Sequence, residues 1–208
     1  MKRGSQSGFT LLELLGSIAI VAILATVILS AAPRIFGQAD VTRCVANQKY
    51  LFQLLQRYAL ENNGVLPAPT GASSWWTRLG LMENPTYEAR NASKNKLFIC
   101  PAAVKTFPGH KPMRTYAINT EGFSMTDAVP LVRNSRPATT LLLIDGKSNQ
   151  DDASDTVAYF RATSWPRITD WVDARHDGKF NGLFLDGHVQ LLSPTDPMLT
   201  EYVTNFGR

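Results

Sequence analysis

The chain has 208 residues, 44% of them hydrophobic and 18% charged, a balance that excludes a disordered polymer and allows one core-bearing domain with an appended element. Its formal net charge of +4 argues little for nucleic acid, because Lys2 and Arg3 supply half of it and the remaining charges are scattered with mixed sign. The two cysteines, Cys44 and Cys100, allow a single bridge at most.

The first element is apolar. Residues 9–32 read FTLLELLGSIAIVAILATVILSAA, and as a helix these 24 residues would span about 36 Å, enough to cross a hydrocarbon core of about 30 Å. From Leu14 to Leu29 no residue is charged. Ahead of it MKRGSQSG is short, polar and basic, which keeps that end cytoplasmic and sends the rest of the chain across. A secretory signal fits poorly, since its apolar core is shorter and Pro33 would directly follow a cut after Ser30-Ala31-Ala32. A plain anchor explains the length and the orientation but not Glu13, because a carboxylate in lipid costs several kcal/mol unless partnered.

The stretch SGFTLLELL, behind a basic leader and ahead of an unbroken apolar run, resembles the processing signal of type IV prepilins and type II secretion pseudopilins. The resemblance implies cleavage by a prepilin peptidase between Gly8 and Phe9, and usually methylation of the new amine on Phe9. It implies that Glu13 is the assembly residue, pairing with that amine on a neighbouring subunit so that each charge offsets the other's desolvation. It further implies a leader at 1–8 and a transmembrane and filament-core helix at 9–32. The protein would stand in the bacterial inner membrane with its N-terminus cytoplasmic and its head periplasmic, and then enter a periplasmic or surface filament. Its partners would be other pilin or pseudopilin subunits, in a homo- or hetero-filament, and an inner-membrane assembly platform.

Beyond the apolar run, Pro33 and Gly37 are weak points in the helix. The pattern resumes over 33–63 as an amphipathic helix. Val41, Cys44, Gln48, Leu51, Leu55 and Tyr58 recur at 3–4 residue spacing, while Arg43, Lys49, Gln53 and Arg57 fall elsewhere. Glu61-Asn62-Asn63-Gly64 supplies the stop, and Pro67 and Pro69 prevent a restart. One long, bent helix from Phe9 to about Leu60 is therefore expected, with a head over 64–208.

Within the head, SSWWTRLGLM (Ser73 to Met82) mixes aromatics with a short helical pattern, and Trp75 and Trp76 mark either a binding surface or a packed core. Leu97 to Cys100, closed by Pro101, reads as a strand. TTLLLIDG (Thr139 to Gly146) reads as the central strand, apolar on both faces, and TVAYFRA (Thr156 to Ala162) as another. The expected fold class is α+β and pilin-like, with a long N-terminal helix, transmembrane in its first half, packed on a small antiparallel β-sheet head. Cys44 on the helix and Cys100 after a strand suit a staple that would stabilise by about 4 kcal/mol; two buried free thiols are the other reading.

The C-terminal stretch DARHDGKFNGLFLDGHVQLL (Asp173 to Leu192) carries turn signals at Asp177-Gly178, Asn181-Gly182 and Asp186-Gly187, which make it a β-meander. Nine residues separate His176 from Asp186-Gly187. This H-x9-DG spacing at 176–187 resembles the signature that ends a large group of prepilin-like proteins. LFICP, RTYAIN and NSRPATTLLLIDG resemble further parts of that group in order. His176, Asp186 and His188, with Asp173, Asp177 and Asp145, are residue types that hold zinc or calcium. The alternative is a turn in which Asp186 accepts from its own backbone.

No nucleophile elbow, phosphate loop or paired-carboxylate motif is present, so the chain reads as no enzyme and no cofactor is expected. The function expected is a pilin-like structural subunit of a type II secretion or type IV pilus-like filament. The alternative is a membrane-anchored extracytoplasmic binding module, for example for polysaccharide, that forms no filament.

Overall fold

The computed structural model describes residues 10–71, 73–88, 95–106, 114–124, 128–130, 134–147, 159–162 and 168–207. The leader, Gly8 and Phe9, His110, and the first residues of the TVAYFRA segment lie outside them. The chain divides into two compact units, Met1–Ala39 and Asp40–Arg208.

Helix α1, Leu11–Glu61, supplies the whole of the described first unit and the first element of the second. In the first unit its apolar side chains are exposed from Leu11 to Leu29, and Leu11–Ser30 is long and apolar enough to cross a membrane by length and composition. In the second unit the helix has one buried stripe, formed by Cys44, Gln48, Leu51, Leu54, Leu55 and Ala59, while Arg43, Lys49, Gln53 and Arg57 stay exposed. That stripe follows from the 3–4 residue spacing of apolar side chains. The helix closes where Gly64 N–H donates to Ala59 O at 2.8 Å.

The head follows as β1 (Val65–Leu66), α2 (Trp75–Glu83), α3 (Pro101–Thr106), β2 (Tyr116–Asn119), β3 (Val129–Pro130), β4 (Leu141–Asp145), β5 (Tyr159–Phe160), α4 (Ile168–Trp171), β6 (Phe180–Phe184), β7 (Val189–Leu192) and α5 (Leu199–Thr204). β1 and β3 form a two-stranded antiparallel pair. The main sheet has the order β5-β2-β4-β6-β7, with β4 in the middle and wholly buried. Both faces of this sheet are covered. Leu51 and Leu55 of α1 and Trp75 and Leu79 of α2 pack on one side with Tyr116, Ile118, Leu143 and Leu183. Ile168, Leu199 and Val203 pack on the other with Ala117, Ile144, Phe180 and Phe184. Alternation along β6 assigns Leu183 to the first face and Phe180 and Phe184 to the second. A register shift between Leu141 and Leu143 breaks the alternation in β4, so that the consecutive Leu142 and Leu143 share a face.

The architecture is α+β with a long N-terminal helix, as the pilin-like expectation requires, and three local readings change. The sheet is mixed rather than antiparallel throughout: β5 pairs parallel with β2, through Ile118↔Tyr159 and Asn119↔Phe160. β4 runs antiparallel to β2, so β5 reverses direction relative to β4 but lies beyond β2, where it is parallel. Leu97 to Cys100 is not a strand. Lys96–Phe98 is a 3-10 turn, because Asn95 Oδ1 accepts from Leu97 N–H at 3.0 Å, and Pro101 then opens α3 at the position where a missing N–H costs nothing. Asn181-Gly182 is not a turn but the middle of β6. Gly182 is there for packing, since a Cβ would meet Leu141 Cδ2 at 2.6 Å and Leu192 Cδ1 at 2.8 Å.

Candidate assembly helix and buried head cluster

Thr10-Leu11-Leu12-Glu13 forms a reciprocal cap at the start of α1. Thr10 N–H and Thr10 Oγ1 each reach Glu13 Oε2 at 2.9 Å, and Glu13 N–H donates to Thr10 Oγ1 at 3.3 Å. A Thr three residues before a Glu satisfies two orphan donors at once and sets a negative charge at the positive end of the helix dipole. The pattern is legible as T-x-x-E, yet the sequence reading assigned Glu13 to assembly alone. Further along, every hydroxyl finds a carbonyl three residues back: Ser17 to Leu14 at 2.7 Å, Thr26 to Ile23 at 2.7 Å, Ser30 to Val27 at 2.8 Å. Polar groups satisfied inside the helix are what a lipid environment demands. Glu13 is the one charged side chain in Leu11–Ser30.

In the head, Cys44 of α1 and Cys100 ahead of α3 form a disulfide with Cα atoms 4.9 Å apart. Both residues are fully buried. His176 lies over it, with Nε2 3.5 Å from Cys100 Sγ and 3.2 Å from Asp145 Oδ2. Asp145 ends β4 and is fully buried, and its Oδ2 also accepts from Asn181 N–H at 2.7 Å. Beside it Arg175, whose side chain is fully covered, places Nη2 3.0 Å from Asp173 Oδ2 and donates from the same nitrogen to Gly146 O. Burial pushes the Asp173 carboxyl above the usual range, the Arg175 guanidinium opposes that shift, and the Asp145 charge adds to it. Tyr116, fully buried, has its phenol pushed far up, chiefly by desolvation and further by Asp145, and its hydroxyl lies 3.5 Å from Cys44 O.

Local turn chemistry places His176. His176 and Lys179 exchange backbone bonds of 3.0 and 3.1 Å around Asp177-Gly178, both at positive φ (55° and 75°), a two-residue hairpin turn that hands the chain to β6. The second hairpin turn sits elsewhere. Asp186 Oδ1 lies 3.1 Å from His188 N and 2.6 Å from His188 Nδ1, and the His188 ring stacks on Phe184 with centroids 4.3 Å apart. Gly187 (φ 89°) both permits that turn and lets it close on α1, for a Cβ would stand 2.5 Å from the Phe52 ring.

The structure thus separates the residues that sequence spacing grouped. Asp186 and His188 pair with each other, and His176 pairs with Asp145 and Cys100. Among the described residues, Cys44, Cys100 and His176 bring ligand-type atoms within 4.8 Å of one another, but both sulfurs are spent in the disulfide. Sequence reasoning placed His176 and Asp145 in one group only as residue types that could hold a metal; their direct ion pair, for which the two segments offer no local signal, it did not foresee. Trp75 and Trp76 are both buried, and the Arg114 guanidinium covers the Trp76 ring at 3.8 Å, so they pack the core.

No curated protein and no solved structure matches the chain. Residues 3–29 match the prokaryotic N-terminal methylation motif. A helix capped by Thr10 and Glu13 begins within that stretch, its apolar span running from Leu11 to Ser30, and an α+β head follows in the chain. This protein therefore carries the signal of the type IV prepilins and pseudopilins.

Proposed function

We propose that the chain is a pilin- or pseudopilin-type structural subunit. A prepilin peptidase cuts it between Gly8 and Phe9, Leu11–Ser30 holds it in the membrane with its N-terminus cytoplasmic, and it is then built into a cell-envelope filament. The observation that carries this reading is the coincidence, inside residues 3–29, of the methylation motif with an apolar helix holding a single carboxylate. Before the cut, Glu13 is occupied by Thr10. The cut creates an ammonium on Phe9, and in the filament Glu13 takes the Phe9 ammonium of a neighbouring subunit. Two charges that are each expensive in a low-dielectric packing become acceptable as a pair, which fixes the stagger between subunits. The filament serves a type II secretion or type IV pilus-like system.

Glu13→Leu tests the reading. The variant is expected to stay in the membrane and be cut normally, and to fall at least about tenfold in the sedimentable filament fraction, the loss expected of an ion pair broken in an apolar setting. Incorporation at the wild-type level would contradict the reading and leave a tethered binding module standing.

A further inference from the structure

β7 closes one side of the main sheet, and among the described residues no strand lies beyond it. The phase of its ladder is fixed at the hairpin, where Phe184 N–H donates to His188 O at 2.9 Å. Counting by twos from that bond, Gln190 and Leu192 turn their backbone groups inward, to Gly182 and Phe180 of β6. Val189 and Leu191 therefore turn N–H and C=O outward. The other side of the sheet is finished differently. β5 is the short strand Tyr159–Phe160, and Arg161 beside it is committed, with Nε donating to Thr120 Oγ1 at 3.0 Å and Nη2 to Phe123 O at 3.2 Å. Open edges in soluble proteins are ordinarily blunted by a charge, a proline or a bulge. Val189-Gln190-Leu191-Leu192 has no charge and no proline, its register with β6 is unbroken, and Leu191 is 41% exposed.

We propose that β7 is the contact through which two copies of this chain join, strand to strand, in an antiparallel pair with its two-fold axis at Gln190. The occupant follows from the edge itself. With Gln190 opposite the partner's Gln190, Val189 faces the partner's Leu191, and Leu191 faces the partner's Val189. Each of these pairs exchanges both its bonds, so every outward N–H and C=O of the two strands is used. A strand that pairs with itself brings like residues together, which a charged edge would resist. Here the residue on the axis is an amide, donor and acceptor at once, and its neighbours are apolar. Leu191 shares the face of Val189, which packs against the core on the α1 side, so pairing covers the exposed Leu191 with the partner's Val189. The pairing ends before Pro194, which has no N–H to offer. A two-fold contact uses the same patch on both copies and closes on itself, so it makes pairs and does not lengthen a fibre. The pair is a state of the subunit distinct from the filament, and it depends on neither the cut after Gly8 nor Glu13.

The test uses the full chain in detergent, with its native cysteines bridged. Gln190→Cys brings two thiols together on the axis, where facing Cα atoms are about 4.5 Å apart, within disulfide range. Mild oxidation should link it into a dimer faster than Gln53→Cys, which lies on the exposed face of α1. Gln190→Lys and Gln190→Glu each set like charges face to face and should weaken dimerisation, read by sedimentation, at least about tenfold. An equal mixture of those two variants should restore it, which a loss of folding would not do. Glu13→Leu should leave the dimer intact, which keeps this result apart from that of the filament test. A wild-type chain that is monomeric throughout, a dimer that persists unchanged in Gln190→Lys, a dimer lost in Glu13→Leu, or Gln190→Cys linking no faster than Gln53→Cys would overturn the proposal.

Discussion

The two units of this chain solve the problem of polar atoms in opposite ways. From Leu11 to Leu29 apolar side chains face outward, and every hydroxyl from Ser17 to Ser30 is satisfied within its own helix turn. Among the described residues from Asp40 onward apolar side chains build a core, and buried polar side chains such as Asp145, His176 and Asn119 find partners far along the chain. The first design suits a segment whose solvent is lipid or neighbouring helices, and it needs no tertiary structure. The second is a water-soluble core, closed by a covalent staple. Changes in one unit should therefore leave the other unaffected, and each expectation that follows separates them.

The largest effect belongs to the staple. Replacing Cys44 and Cys100 together by alanine is expected to cost the head about 4 kcal/mol, since the bridge closes a loop with a sequence separation of 56. Membrane extraction should not change. Next, Ile20→Arg places a charge in the middle of the apolar segment, at about 3 kcal/mol of insertion free energy. It should shift the chain toward the soluble fraction while the melting of the head stays put. Gly187→Ala forces a β-carbon into the Phe52 ring at a positive φ, for about 2 kcal/mol of head stability, and Phe52→Ala in the same chain should return part of it.

The smallest effect is in pH. The buried Tyr116 phenol is held neutral, its folded-state ionisation lying above the ordinary value of 10.0. Its contribution to stability is complete below that ordinary value and is lost as pH rises through it, because the unfolded chain ionises first. Tyr116→Phe is expected to flatten the alkaline limb of a stability–pH curve.

Periodicity explains what was legible beforehand. The stripe from Cys44 to Ala59 and the Leu141–Asp145 strand, apolar through Ile144, are patterns with one geometric solution each, and both appear as the sequence suggests. Lys96–Phe98 was hidden because the Asn95 side chain, a single local acceptor, outweighs strand propensity over a few residues. Asn181-Gly182 misled because the glycine answers a packing demand from Leu141 and Leu192, which no local pattern reports. The ion-pair partner of His176 was invisible for the same reason: 30 residues separate it from Asp145, and only the β4–β6 pairing brings them together.

The central claim is that the first residues are a processing signal and Glu13 an assembly device. Intact-mass analysis of the chain isolated from its own membranes tests it most directly. The expected mass is that of a polypeptide beginning at Phe9, with residues 1–8 gone and one methyl group added. A chain that retains the leader, or one that begins at Pro33, would contradict the account.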